Sequence, residues 1–345
     1  MNMVKRPIQG RSAWLADELQ RDPSWKHELS AAETEELDAA LYRVRARGLL
    51  AGEFGPADFE LGSLGKRIAS LAREFEHGRG LFVLRGIPIA RYSLPDLKAI
   101  YWGIGVHLGN PVYQNKKGDL VSHVEDRGDD YGDKTTRLYT TAAAANPHND
   151  PSDVVGLLCV RVAESGGTSM VSSAMSIYNQ MLKEHPEYLD VLFRGFPHDL
   201  RSEGMSGTVD EVTHEIPVFS LHDSRLSCCL NSKSSRTARE KLGNPLTQFE
   251  LEAIGCFEDL AVDPQLCATM DFRPGDIQFL NNYVTIHTRT SFKDGRDLGQ
   301  RRLLLRLWLN LHEGRTLAPG FGDRFNNGSR GGVPVRRARQ GDAVQ

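Results

Sequence analysis

The stretch Pro147-His148-Asn149-Asp150 decides the reading of this chain. Side chains alternate between faces along an extended segment, so His148 and Asp150 point the same way. The partner they call for is a distant histidine, and His287 in Asn281-Asn282-Tyr283-Val284-Thr285-Ile286-His287 is the candidate. Two imidazoles and one carboxylate on one face of an octahedron form a facial triad suited to Fe(II), with the remaining positions open to exchangeable ligands. Alone, the His-x-Asp pair is a weak signal. Short motifs recur by chance, and the chain has eleven histidines. The bland alternative for each is a surface histidine or a hydrogen-bonded core one.

The surroundings shift the balance. Arg273-Pro274-Gly275-Asp276 is a turn, and Ile277–Leu280 reads as the strand leading toward His287. Downstream, Gln300-Arg301-Arg302-Leu303-Leu304-Leu305-Arg306 opens a heavily apolar strand running to Leu311. Arg302 and Arg306 are four apart and share a face of that strand. A guanidinium in a core strand is costly unless it meets an anion. One such arginine suggests a structural salt bridge. Two on one face, beside a candidate metal ligand, favour a bound carboxylate.

The rest of the chain frames this site. It has 345 residues, 40% hydrophobic and 25% charged, with a formal net charge of -3, so bulk charge gives no case for nucleic acid or an anionic membrane as partner. Five cysteines without a C-x-x-C pair read as buried free thiols and point to a reducing, cytoplasmic setting. Neither a secretory h-region nor a bilayer-length apolar run is evident.

Helices are expected from the Ser30–Glu33 capping box to Gly48, over Leu64–Phe75, and over Leu94–Leu108 behind Ser93. Leu81-Phe82-Val83-Leu84 and Val154–Val162 read as core strands. Residues 109–147 read as a long functional loop with strand-like pieces at Leu120–Val124 and Leu138–Thr140. A helix capped by Ser172 or Ser173 should end at His185-Pro186, and another should run from Thr247 to about Leu260. Short strands are expected at Val218–Leu221 and Ser227–Leu230. Helices before residue 110 and strands after it do not make a doubly wound sheet. They suggest an α+β, mainly β chain: a double-stranded β-helix (jelly roll) with flanking helices and a helical insert.

At these residues the sequence resembles the taurine/2,4-D dioxygenase (TauD/TfdA-like) family, over about Leu81 to Leu311. The resemblance lies in the order His148-Asn149-Asp150, Gly166-Gly167-Thr168-Ser169, Pro274-Gly275-Asp276, His287, then Arg301-Arg302 with Arg306. It implies Fe(II) held by His148, Asp150 and His287, and 2-oxoglutarate held at its distal carboxylate by Thr168 and Arg302. Arg306 is implied near the anionic end of substrate or cosubstrate. Asn149 replaces the Thr or Ser often found there and should point away from the metal. The implied reaction consumes O2 and 2-oxoglutarate, releases succinate and CO2, and hydroxylates an unactivated C–H bond of a small molecule, or cleaves it after hydroxylation. Asp150 argues against halogenating relatives, which have a small residue there. The substrate is expected to be small and anionic, carrying a carboxylate, sulfonate or similar group.

The expected organisation is a helical extension over 1–80, a jelly-roll dioxygenase domain over 81–317 and a flexible tail over 318–345, with room for a homo-oligomer. Tyr113, Gln114, Asn115, His123 and Tyr131 are candidate lid residues. His107 and His123 read as structural, while His214 and His222 stay unassigned. Arg336, Arg337 and Arg339 read as a solvated basic terminus. A non-catalytic metal- or ligand-binding jelly roll, and a metal enzyme that does not use 2-oxoglutarate, are the competing readings.

Overall fold

The computed structural model describes residues 6–129, 132 and 136–335. Tyr131, Arg336, Arg337 and Arg339 lie outside the described residues.

The N-terminal part carries α1 (Ala16–Arg21), β1 (Lys26–Glu28), α2 (Ala31–Ala46), α3 (Ser63–His77), β2 (Leu81–Arg85), α4 (Leu94–Leu108), β3 (Gly109–Pro111) and β4 (Val121–Val124). The centre carries β5 (Val154–Arg161), β6 (Ser165–Gly166), β7 (Ser169–Ser173), α5 (Ala174–Glu184), α6 (Leu189–Arg194), β8 (Phe219–His222), β9 (Arg225–Cys228), α7 (Ser232–Lys241) and α8 (Gln248–Val262). The chain continues through β10 (Cys267–Met270), β11 (Ile277–Asn281), β12 (Thr285–Arg289), β13 (Phe292–Lys293) and β14 (Leu303–Leu311).

The helices begin where the sequence places their caps. Ser30 and Glu33 bond reciprocally at the start of α2, as do Thr247 and Glu250 at α8. Ser93 accepts from Asp96 N with Pro95 in the first turn of α4, and Ser173 caps α5. Leu64, Ile68, Leu71 and Phe75 form the buried face of α3.

Two sheets make the jelly roll. The larger runs β1-β2-β11-β5-β14-β3, with β4 also paired to β14. The smaller runs β10-β7-β12. A cavity separates them. The larger sheet lines it with Val155, Leu157, Gln278, Leu304, Arg306 and Trp308, and the smaller with Ser169, His287 and Arg289. Helices α2–α4 cover the outer face of the larger sheet in one continuous core that includes Ile68, Phe75, Ile100, Phe279 and Leu307. The insert between β7 and β10 has its own core around Ile177, Tyr178, Phe219 and Phe257.

Several local expectations change. His148 sits not in a regular strand but on isolated bridges to Asn231 and His287. His287 is on β12, in the other sheet from β11. Leu138–Thr140 is a 3-10 turn, because Thr140 and Thr141 bond back to the Arg137 and Leu138 carbonyls. The insert strands form a hairpin, β8–β9, turned by Asp223 and Ser224 at φ 47° and 62°.

The expected loose tail does not hold for 318–335. Phe321, Phe325 and Val333 are buried, and Gly332 N and Val333 N donate to the Pro151 and Tyr113 carbonyls. The Gly/Asn/Arg-rich composition hid three apolar anchors.

Candidate active site

The triad is assembled by backbone pairing. His148 N donates to His287 O at 3.0 Å, and His287 N donates back to His148 O at 3.2 Å. Asn149 turns away from the two residues beside it. Its amide donates to the Asn282 and Thr285 carbonyls, both at 2.7 Å, and its oxygen accepts from Leu230 N at 2.8 Å. The Asn282 side chain accepts from Asp150 N at 3.1 Å. Asn149 and Asn282 therefore fix where His148 and Asp150 aim.

The candidate ligand atoms of His148, Asp150 and His287 all lie within 4.8 Å of one another. The two imidazole centroids are 4.5 Å apart, and His287 Nε2 is 3.9 Å from Asp150 Oδ2. His148 Nδ1 donates to the Asn146 carbonyl at 2.8 Å, which sets the tautomer and leaves Nε2 as an electron-pair donor. Burial, then neighbouring His148, pushes the His287 pKa down to about 3, so it is a neutral imidazole. Burial opposes ionisation of Asp150, but the Arg306 charge holds its carboxyl below the usual range. Neutral imidazoles and an ionised carboxylate are the states a metal needs. His287 Nδ1 is buried without a partner. This donor set fits Fe(II).

Arg302 and Arg306 share one wall, as expected from their spacing, but their environments differ. Arg306 is enclosed: Nε donates to Gln114 Oε1 at 2.8 Å, and its guanidinium carbon lies 4.6 Å from both the Tyr139 and Trp308 rings. Its Nη1 is 3.7 Å from Asp150 Oδ1. Arg302 is 5% exposed and stacks on Phe292 at 4.8 Å, yet its Nη1 is buried without a hydrogen-bond partner among the described residues. Burial pulls its pKa down to about 10, which leaves it charged at neutral pH.

Thr168 does not face the cavity that holds the triad. It lines a smaller recess on the far side of Arg302, where its hydroxyl donates to Asp271 Oδ1 at 3.4 Å. Strand alternation explains the difference. Ser169 opens β7 opposite Arg289, so Ser169 turns into the main cavity and its predecessor turns out. The fourth position of Gly166-Gly167-Thr168-Ser169 is the inward one.

Pro274-Gly275-Asp276 is structural. Gly275 has φ +93°, and a Cβ there would collide with the Ile87 carbonyl. Asp276 is fully buried and takes a two-pronged bond from Arg85 at 2.7 and 2.8 Å.

Of the candidate lid residues, Tyr113, Gln114, Asn115 and His123 do not line the cavity. Tyr113 is exposed, Asn115 bonds Asp119, and Gln114 lies behind Arg306. His123 pairs toward Glu125, and His107 bonds the Phe59 carbonyl. His214 binds Asn326 and the Gly320 carbonyl, and His222 sits beside Asp223. The wall is instead completed by Arg137 and Tyr139, by His198, Arg201 and Glu203 from the insert, and by Arg324 and Phe325. No motif marks these loop residues, though the arginine-rich composition after Ala318 was visible.

Residues 46–308 match the model of the taurine catabolism dioxygenase TauD, TfdA family. The chain belongs to this family. It is thereby a non-haem iron, 2-oxoglutarate-dependent dioxygenase. It is 33% identical over 321 residues to FR-33289 synthase of Streptomyces rubellomurinus, covering 91% of this chain and 94% of that protein. The fold also matches an asparagine oxygenase solved with Fe(II), 3-hydroxyasparagine and succinate, at TM-score 0.63 and 19% identity over 83% of this chain and 93% of that one. It matches the non-haem iron oxygenase OrfP with Fe and alpha-ketoglutaric acid at TM-score 0.58 and 16% identity, over 83% and 94%. Among the described residues no helix is long and apolar enough to cross a membrane.

Proposed function

We propose that His148, Asp150 and His287 hold Fe(II), and that Arg302 with Ser169 holds the distal carboxylate of 2-oxoglutarate beside it. The observation that carries this reading is the unpartnered Arg302 guanidinium in the wall of the cavity on which the triad converges. A planar guanidinium pairs with a carboxylate through parallel hydrogen bonds. When bound, iron and 2-oxoglutarate supply the oxidising chemistry: O2 and 2-oxoglutarate are consumed, succinate and CO2 leave, and a substrate C–H bond becomes C–OH.

The chain's own part is placement. Asp150 contributes the negative charge of the ligand set. Asn149, Asn282 and Asn146 fix the ligand directions. Val155, Leu157, Leu304 and Trp308 give the cavity apolar walls that exclude water around the reacting carbon. The cavity between the sheets suits a small organic molecule. Five free cysteines fit a reducing compartment, and cytoplasmic residence belongs to this reading.

The test is an anaerobic titration of the Fe(II)-loaded protein with 2-oxoglutarate, followed by visible absorbance. A weak charge-transfer band is expected, lost in His148→Ala and weakened in Arg302→Gln. Its absence from folded, iron-loaded wild type would sink the proposal.

A further inference from the structure

Among the described residues, seven arginine and lysine side chains line the cavity against three carboxylates. Each carboxylate is already engaged. Asp150 belongs to the triad, Glu203 takes Arg137, and Asp199 takes Lys241 at 2.7 Å. Of the cations, Arg302 is assigned to 2-oxoglutarate. Arg306 also faces the triad, but its charge is shared with Asp150 and its faces are covered by Tyr139 and Trp308.

Arg324 is different. It comes from the C-terminal segment that packs across the cavity, and it is 7% exposed. Its contacts are the Cys229 thiol and the Phe321 ring at 4.8 Å; no carboxylate among the described residues pairs with it. Burial lowers its pKa to about 10, so the charge persists at neutral pH. A buried guanidinium with no carboxylate in ion-pair contact is a costly arrangement, and Asp153 acts on this one only through space. Two residues of the insert lie near it on the same wall. His198 feels both Arg324 and Arg201, and burial followed by those two charges lowers its pKa to about 3, leaving a neutral imidazole. Arg201 adopts φ 50° and is followed by Ser202 at φ 61°, both left-handed without being glycine. Such backbone persists where the surroundings hold it, and it clusters at ligand-binding positions. Arg201 N is pinned by Asp199 Oδ1 at 2.9 Å.

We infer that this cavity takes a substrate bearing a terminal oxyanion, read by Arg324 and Arg201 with His198 as a neutral hydrogen-bonding partner, and not by Arg306. The inference rests on the 2-oxoglutarate reading for the assignment of Arg302. It places specificity in the C-terminal segment and the insert, outside the two sheets. The substrate's anionic end then points away from the triad, and the carbon to be hydroxylated points toward it.

The test uses inorganic phosphate, sulfate and acetate as probes on the Fe(II)- and 2-oxoglutarate-loaded protein, under anaerobic calorimetry. Wild type is expected to bind at least one of them with 2-oxoglutarate in place. Arg324→Gln and Arg201→Gln should each weaken that binding about ten- to a hundred-fold, the effect of losing one charge-assisted bond. Arg324→Lys should recover part of it, and the 2-oxoglutarate absorbance band should be the same in Arg324→Gln as in wild type. Unchanged anion affinity in both glutamine variants would overturn the inference. So would failure of wild type to bind any probe, or displacement of the probe by 2-oxoglutarate. A missing 2-oxoglutarate band in wild type would instead count against the proposed function, since anion binding can be measured without it.

Discussion

Gln114 grips Arg306 by both its side chain and its backbone. Oε1 accepts from Arg306 Nε at 2.8 Å, and Nε2 donates to the Arg306 carbonyl at 2.8 Å and to the Leu120 carbonyl at 2.7 Å. Gln114 is 1% exposed, so no water replaces these bonds. It is the residue behind the wall that holds Arg306 between Tyr139 and Trp308 and toward Asp150. Gln114→Leu leaves a buried guanidinium nitrogen and two carbonyls unmatched, at about 1–3 kcal/mol for each stranded group. A fall in the urea midpoint with an unchanged slope is expected. A variant as stable as wild type would show that Arg306 finds its place unaided.

Arg302, Ser169 and Thr168 separate in one titration of 2-oxoglutarate. Arg302→Gln should weaken binding about ten- to a hundred-fold or more, because a charge-assisted bond contributes about 1.5–3 kcal/mol. Ser169→Ala should cost a neutral hydrogen bond, about two- to ten-fold. Thr168→Val should change affinity by no more than about two-fold, as for a side chain outside the site. The absorbance band reads all three. A larger loss from Thr168→Val than from Ser169→Ala would restore Thr168 as the carboxylate's partner.

That contrast shows what the sequence carried and what it did not. The convergence of His148, Asp150 and His287 was legible because metal chemistry restricts residue type and the extended spacing puts the first two on one side. Arg302 and Arg306 were legible because charge inside an apolar strand needs a reason. The capping boxes at Ser30 and Thr247 carried their own geometry. Thr168 against Ser169 turned on where β7 begins, and strand phase is set by pairing with β12, not by the Gly-Gly turn. His198, Arg201 and Arg324 sit on irregular backbone, where no period predicts direction. The 318–335 segment looked unstructured because glycine and asparagine outnumber the three apolar anchors that hold it.

Asp150 and its neighbour Asn149 should fail in different ways. Asp150→Ala removes the one carboxylate of the triad and leaves Arg306 facing two imidazoles. Retention of Fe(II) after desalting should fall to near zero, and some stability goes with it because the buried Arg306 charge loses its anion. Asn149→Ala leaves three buried backbone groups without their partner, so its main effect is on stability, about 1–3 kcal/mol for each stranded group. Iron content and urea unfolding on both variants check the split. Iron retained by Asp150→Ala would remove that residue from the ligand set.

Glu36 gives a prediction far from the cavity. Gly62 precedes α3 and has no side chain to cap it. Glu36, on α2, does so from outside, accepting from Gly62 N at 2.9 Å, Ser63 N at 2.8 Å and Leu64 N at 3.1 Å. An anion at three free amides of a helix start is well placed for both hydrogen bonds and dipole. Burial works against the charge, but the Ser63 hydroxyl and these amides hold the carboxyl below its ordinary 4.5. A folded value lower than the unfolded one means the stabilisation is fully present above the unfolded value and is lost as pH falls through the folded one. Glu36→Ala should therefore cost about 1–2 kcal/mol at neutral pH, in the range of lost helix caps. Urea unfolding of both proteins at pH 7 and at pH 3 should show that difference shrinking in acid. An equal gap at both pH values would mean Glu36 acts by packing, and that the charge on the α3 amides contributes nothing.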